Sequence, residues 1–424
     1  MLIKNHNTQF LIELLNKFKD QHNNFINENL KLDLTRGKPS AEQLSLSDSI
    51  DGILKNNYFT QNNLDTRNYG QQEGITEARK LGASWLGVNE QEIIASDHSS
   101  LTLMYQVLHI GSHYGYTGFT PWLKQKDPVF IAVVPGYDRH FGIAEKLGIK
   151  MINVPLLDTG PDMDLVEKIV EQENVKGIFC VPKYSNPTGT IYDEHTIIRL
   201  SKLGLITGDD FKIIWDNAYA VHDNLENIYL PNIMDFCHKF GTQNTLIAFG
   251  STSKVTHAGS GISFLGASKN NIEQILKQLD VFRICPNKVN QLRHVKFLKN
   301  MENVKMHMKK HAEITTPKFN IVIDTLTNNL AGKGLGSWTV PKGGYFISFD
   351  TLPGLAKKVV SLSADAGVKL TPAGSTFPYG KDPNNKNIRL APTFPNITDL
   401  QKAMDVFVNC VYLASVEHFI NNRN

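Results

Sequence analysis

The sequence predicts an α/β fold built on a mostly parallel sheet, followed by a smaller α+β domain. Three observations carry that expectation. Residues 129–134, 177–181, 211–215 and 245–249 are short, continuous apolar runs, as strands buried on both faces are. Helical stretches lie between them, which makes each a crossover unit of a parallel sheet. After Phe264 the pattern shifts to helices and then to alternating strands near residues 343–350 and 387–391, the composition of a separate α+β domain from about residue 290.

A chain of 424 residues with 41% hydrophobic and 20% charged content is long enough for two domains with a substantial core. Its 44 basic and 41 acidic residues leave a formal charge of +3, which is no nucleic-acid signature. Cys180, Cys237, Cys285 and Cys410 form no CxxC pair, so neither a zinc ribbon nor a disulfide framework is expected. The first residues lack a basic-then-apolar signal pattern and no continuous apolar run approaches a membrane span. The expectation is a soluble cytoplasmic protein with no nucleic-acid or membrane partner.

Taken in order, residues 8–30 read as a helix with Phe10, Leu11, Leu14, Leu15 and Phe18 on one stripe. A short strand then enters the loop Thr35-Arg36-Gly37-Lys38-Pro39, where Gly37 suits a close backbone approach. The polar stretch 65–74, containing Tyr69, leads into a helix near Ile75. Ser99 and Ser100 precede another helix, whose start would cap itself or receive a phosphate. The four apolar runs end in loops holding Tyr137 and His140, then Asn186, then Asp216 and Tyr219, then Ser251, Ser253 and Lys254. Helices are expected at 271–280 and, as one long element, at 291–314.

Ligands of parallel sheets bind outside the strand C-terminal ends, and all four loaded loops sit there. Alone, Ser251-Thr252-Ser253-Lys254 is a Ser-rich turn with a surface lysine, His140 an exposed loop histidine, and Arg389 a surface ion pair. Together they form a nucleophilic amine beside a carboxylate, an amide, a phenol and several hydroxyls. Those groups match pyridoxal phosphate: lysine for the aldehyde, aspartate for the ring nitrogen, amide and phenol for the ring oxygen, hydroxyls for the phosphate.

The chain resembles the fold-type I, class I/II aminotransferases over most of its length. The motifs are Asn68-Tyr69-Gly70, Pro135-Gly136-Tyr137, Asn186-Pro187-Thr188-Gly189, Asp216-Asn217-Ala218-Tyr219, Ser251-Thr252-Ser253-Lys254 and Arg389, in the family's order and spacing. Thr35-Arg36-Gly37-Lys38-Pro39-Ser40 and Asp138-Arg139-His140-Phe141 look like the bacterial type Ic aspartate aminotransferase subgroup. The resemblance implies a mostly parallel seven-stranded sheet in a large pyridoxal 5'-phosphate domain at 46–289. Residues 1–45 would form an arm and part of a small domain, and 290–424 the small α+β domain.

It also implies roles. Lys254 would carry the cofactor as a Schiff base and then act as acid and base in a ping-pong exchange. Asp216 would pair with the pyridine nitrogen, and Asn186 and Tyr219 would bond the ring oxygen. Tyr137 would stack on the ring, with His140 behind Asp216. Ser99, Ser100, Ser251 and Ser253 would hold the phosphate, and Tyr69 would reach in from the second subunit of a homodimer. Arg389 would clamp the α-carboxylate of an L-amino acid or 2-oxo acid such as 2-oxoglutarate, with Gly37 and Asn186 nearby. An Arg fork matches that planar group bidentately.

One position departs from the pattern. Ile262 stands where many relatives place a phosphate-binding arginine, leaving His257 or Thr256 as stand-ins. For the side-chain carboxylate of aspartate, Arg283 is the candidate across the interface, with Arg36 and Lys288 as competitors. An aromatic or kynurenine-type transaminase and a β-lyase use the same cofactor chemistry. Only about 30 residues precede the first strand, too few for the DNA-binding module of a cofactor-binding regulator. Ser251-x-x-Lys254 satisfies an SxxK acyl-transfer motif, but its SDN and KTG companions are absent.

Overall fold

The computed structural model describes residues 2–116, 118–224, 226–281 and 283–423. A first short strand, β1 (Leu32–Asp33), precedes eight that share the main sheet. These are β2 (Ile93–Ser96), β3 (Val129–Val134), β4 (Lys150–Leu157), β5 (Gly160–Pro161), β6 (Val175–Cys180), β7 (Lys212–Asp216), β8 (Leu246–Ser251) and β9 (Ser263–Ala267). Four more follow: β10 (Gly336–Trp338), β11 (Ile347–Thr351), β12 (Val368–Lys369) and β13 (Asn387–Leu390).

The main sheet runs β2-β9-β8-β7-β6-β3-β4-β5. The chain β8-β7-β6-β3-β4 is parallel throughout, while β9 lies antiparallel between β8 and β2. The seven strands expected are present, and the two-residue β5 adds an eighth at one edge through an antiparallel pairing with β4. Every residue of β3, β6, β7 and β8 is buried, which is why these strands are continuous apolar runs in the sequence. Strand β4, next to the edge, is mostly half-buried or exposed and carries polar positions accordingly. Their parallel direction brings the loops after β3, β6, β7 and β8 to one rim of the sheet. Strand β2 runs the same way and leads there to Ser99 and Ser100.

The long helix expected at 291–314 is two helices, Lys288–Leu298 and Met301–Leu330. Lys299 adopts φ +61 at the end of the first, and Asn300 caps the second by accepting from the Asn303 N–H. The cap outweighs an apolar periodicity that runs through the junction. The second helix joins two hydrophobic clusters. Val304 and Met308 pack with the main sheet, whereas Phe319, Val322 and Leu326 pack with the antiparallel β10-β11-β13 sheet. That second cluster also takes Leu11, Phe25 and Leu34 from the N-terminal segment, and β1 pairs with β12. Both chain ends therefore complete one body. Helix Ile397–Asn421 is apolar and long enough to cross a membrane by composition, but most of it is buried as the core of this body.

Candidate active site

Asp216 is the last residue of β7, in register with Phe249 of β8, and is 3% exposed. Its Oδ2 accepts a 2.9 Å hydrogen bond from Nε2 of His140. His140 belongs to helix Asp138–Lys146 rather than to a loop, is buried, and stacks on Phe179 at 5.1 Å with Tyr137 against its edge at 4.9 Å. The other carboxylate oxygen, Oδ1, is buried with no hydrogen-bond partner. A buried, half-satisfied carboxylate is costly unless a donor or cation arrives. A planar ring with a protonated nitrogen supplies such a donor, so this orphaned oxygen is what fits the cofactor expected from the sequence.

Around that oxygen the strand-end loops converge. Lys254 Nζ lies 4.8 Å from the centre of the Tyr219 ring and 5.8 Å from that of Tyr345. Burial pushes the Tyr219 hydroxyl well above its ordinary pKa, with Asp216 adding to the shift. Tyr137 is pushed up to about 12, again chiefly by burial. Both phenols stay protonated at neutral pH and remain available as donors.

The serines assemble as a second cluster. Ser251 Oγ and Ser253 Oγ are 2.8 Å apart, and both donate to the carbonyl of His98, at 3.4 and 2.7 Å. His98 immediately precedes Ser99, the N-cap of helix Ser100–His109, whose side chain makes no capping bond. The Ser99 hydroxyl and the Ser100 and Leu101 N–H groups, unbonded among the described residues, thus lie at a helix start next to the Ser251–Ser253 pair, a ready cradle for a phosphate.

Ile262 brings no charge to this cradle: it is fully buried, and its N–H donates to Thr252 Oγ1 at 2.9 Å. Thr256 is no substitute either, since its hydroxyl is buried against Thr252 and 2.9 Å from His294 Nε2. His257 faces Asp48 at 3.6 Å. Replacing Ile262 with arginine should therefore destabilise the fold by about 3 kcal/mol or more, the cost of an unpaired buried cation, without tightening cofactor binding. Denaturant titration checks the first half and cofactor titration the second.

Arg389, in β13 opposite Ser348, closes the site from the second body. Its Nη1 reaches Asp138 Oδ1 at 3.2 Å and Asn186 Oδ1 at 3.3 Å; its Nη2 reaches the Thr35 carbonyl and Thr371 Oγ1, each at 3.4 Å. The guanidinium packs 4.8 Å from the Phe346 ring. A Cβ at Gly37 would meet that ring at 2.4 Å, so only glycine fits the loop here. Asn186, Gly37 and Arg389 thus lie together around this guanidinium and the Phe346 ring.

Two expected residues lie apart from this cluster. The Tyr69 side chain stands 73% exposed, on a loop whose Asn68 and Gly70 carbonyls accept from Lys288 Nζ. Arg283 turns its guanidinium inward, donating to Ser96 Oγ and, at 2.7 Å, to the Gln72 carbonyl. Arg36 is exposed, and no hydrogen bond or ion pair of its side chain is recorded among the described residues.

The sequence reading missed a supporting set. His222 Nε2 lies 3.3 Å from the Lys254 carbonyl, and Tyr345 OH lies 3.5 Å from it. Gly343 and Gly344 let this segment close on the loop after Asp216: a Cβ at Gly343 would meet the His222 carbonyl at 2.3 Å, and Gly344 N–H donates to it at 2.9 Å. The paired glycines ahead of an aromatic residue were the available signal.

The chain matches the family model described as aspartate amino-transferase over residues 7–423. It is 44% identical over 399 residues to the aspartate aminotransferase of Corynebacterium glutamicum, covering 93% of this chain and 92% of that one. It superposes on a crystal structure of an aspartate transaminase from Corynebacterium glutamicum with a TM-score of 0.96, at 41% identity and 99% coverage of both chains. The α-aminoadipate aminotransferase LysN of Thermus thermophilus, solved with N-(5'-phosphopyridoxyl)-L-leucine, shares the fold at a TM-score of 0.74 and 20% identity, covering 93% of this chain and 95% of that one.

Proposed function

The chain belongs to the aspartate aminotransferase family, and from that premise we propose that it moves the amino group of L-aspartate to 2-oxoglutarate with pyridoxal 5'-phosphate as cofactor. The observation that carries this reading is the buried Oδ1 of Asp216, unpartnered among the described residues. Bound pyridoxal phosphate supplies an aldehyde that links to the amine and a ring that draws electrons away from the substrate Cα.

The chain's own residues do the rest. Asp216, oriented by His140, would hold the proton of the ring nitrogen. Asn186 and Tyr219 would bond the ring oxygen, and Tyr137 would pack against the ring. Ser99, Ser100, Ser251 and Ser253 hold the phosphate through neutral donors, with the helix start at Ser100 in place of an arginine. Lys254 would serve as the general base for the substrate Cα proton and as the general acid that delivers it to the aldehyde carbon of a bound cofactor. Arg389 fixes the α-carboxylate and so presents Cα to Lys254. The apolar walls of Tyr219, Tyr345 and Phe346 exclude water from that proton.

A homodimer fits the exposure of Tyr69, a large aromatic on a loop pinned by Lys288, and of the large apolar residues Val281 and Ile284. In that reading Tyr69 completes the phosphate site of a second copy. For the substrate's second carboxylate, Arg283 and Arg36 are the candidates: the first has committed N–H groups, the second has no side-chain partner among the described residues and follows Thr35, whose carbonyl accepts from Arg389. The residue that reads this carboxylate should lose activity toward aspartate far more than toward aromatic amino acids when changed to alanine. A loss of about tenfold or more is expected for a charge-assisted bond. Comparing kcat/KM of Arg283→Ala and Arg36→Ala on both substrate classes decides between them.

The reaction itself is tested by product analysis with L-aspartate, in the presence and absence of 2-oxoglutarate. Oxaloacetate and glutamate in equal amounts over many turnovers are expected only when the acceptor is present, with no more than about one oxaloacetate per site without it. Ammonia released without an acceptor would instead identify a lyase.

A further inference from the structure

Resting on the assignment of Arg389 as the α-carboxylate clamp, one contact goes beyond it. Arg389 is nearly buried, with a side chain 7% exposed, yet none of its hydrogen bonds is shorter than 3.2 Å and its Nε has no partner. A buried guanidinium held this loosely is poised for a better partner. Among the described residues the one full negative charge on it is Asp138, whose carboxylate sits 3.2 Å from Nη1.

Asp138 opens helix Asp138–Lys146, directly after Tyr137, and 33% of its side chain is exposed. No other hydrogen bond or ion pair of its side chain is recorded among the described residues. Its carboxylate can therefore turn into water at small cost, and it keeps the favourable helix start when it does. A substrate carboxylate gripping both terminal nitrogens needs the place on Nη1 that Asp138 holds.

We infer that Asp138 is an internal occupant of the Arg389 fork, and that amino acids and 2-oxo acids gain the fork by displacing it. Binding is then an exchange of one carboxylate for another rather than the filling of a free cation. Asp138 weakens every α-carboxylate ligand alike and touches no reacting atom. It is a positioning residue: it holds Arg389 in place between turnovers.

The test uses the cofactor-loaded enzyme and Asp138→Asn, which keeps the oxygen on Nη1 and removes the charge. KM for amino donor and 2-oxo acceptor should fall about fivefold to tenfold with kcat unchanged, the pattern of a change in uniform binding. Calorimetric binding of succinate, which has no amino group to react, should tighten by the same factor. Asp138→Ser should behave likewise, and thermal melts of both variants verify folding. An unchanged or raised KM, a fall in kcat, or unchanged succinate affinity overturns the inference. Arg389→Ala run alongside separates the two claims. If it abolishes succinate binding while Asp138→Asn leaves it unchanged, the clamp stands and the displacement does not. If Arg389→Ala also binds succinate normally, both fall.

Discussion

Lys254→Ala should lower turnover at least about 10⁴-fold, the contribution expected when one residue is both covalent anchor and proton carrier. Its folding should be unaffected. Lys254 makes no ion pair among the described residues, and its amine lies over aromatic faces rather than within a hydrogen-bond network. What the backbone needs from this position is its carbonyl, which His222 and Tyr345 approach, and alanine keeps it. The variant should still bind cofactor through the phosphate cradle, but without the visible band of the lysine linkage. Added methylamine should restore part of the rate, because a small free amine fits the space left by the side chain. A variant that turns over within tenfold of the parent would remove Lys254 from the proton transfer.

Asp216→Asn should lower kcat by about 10² to 10³-fold, in the range of losing one preorganised electrostatic partner. The amide keeps an oxygen for His140 Nε2, now at 2.9 Å from the carboxylate, so the packing of His140 on Phe179 survives. What it loses is the charge that, in the proposed reaction, would hold a proton on the ring nitrogen. The loss should fall on kcat rather than on KM for the amino donor, since the proposed α-carboxylate clamp, Arg389, lies in another body of the protein. A cofactor analogue methylated at the ring nitrogen, permanently positive, should recover much of the rate in this variant and change the parent little. Full activity without the analogue would show that the orphaned Oδ1 has another role.

Much of this site was legible in the sequence because a parallel sheet writes itself plainly. Strands β3, β6, β7 and β8 are buried on both faces, so their residues are uniformly apolar and the polar residues beginning the next loops stand out. Asp216 could be placed at a strand end for that reason alone. Contacts between distant segments were not legible. Asp138 and Arg389 are 251 residues apart, and nothing local marks either as the other's partner.

Chain breaks set by a single side chain were equally hidden. Asn300 capping a new helix ended what periodicity presented as one element. Ile262 could be seen to lack charge, but not that the core encloses it and leaves no room for one. Arg283 was chosen for its charge and neighbourhood, whereas Ser96 and Gln72 already use its N–H groups.

The central claim is that Lys254 and Asp216 work a bound pyridoxal phosphate to exchange amino groups. The absorption spectrum of the purified protein tests it in one cuvette. A visible cofactor band should be present, should disappear on adding L-aspartate as the amino form of the cofactor accumulates, and should return on adding 2-oxoglutarate. No visible band after reconstitution with pyridoxal phosphate, or a band that no amino acid alters, would contradict the account.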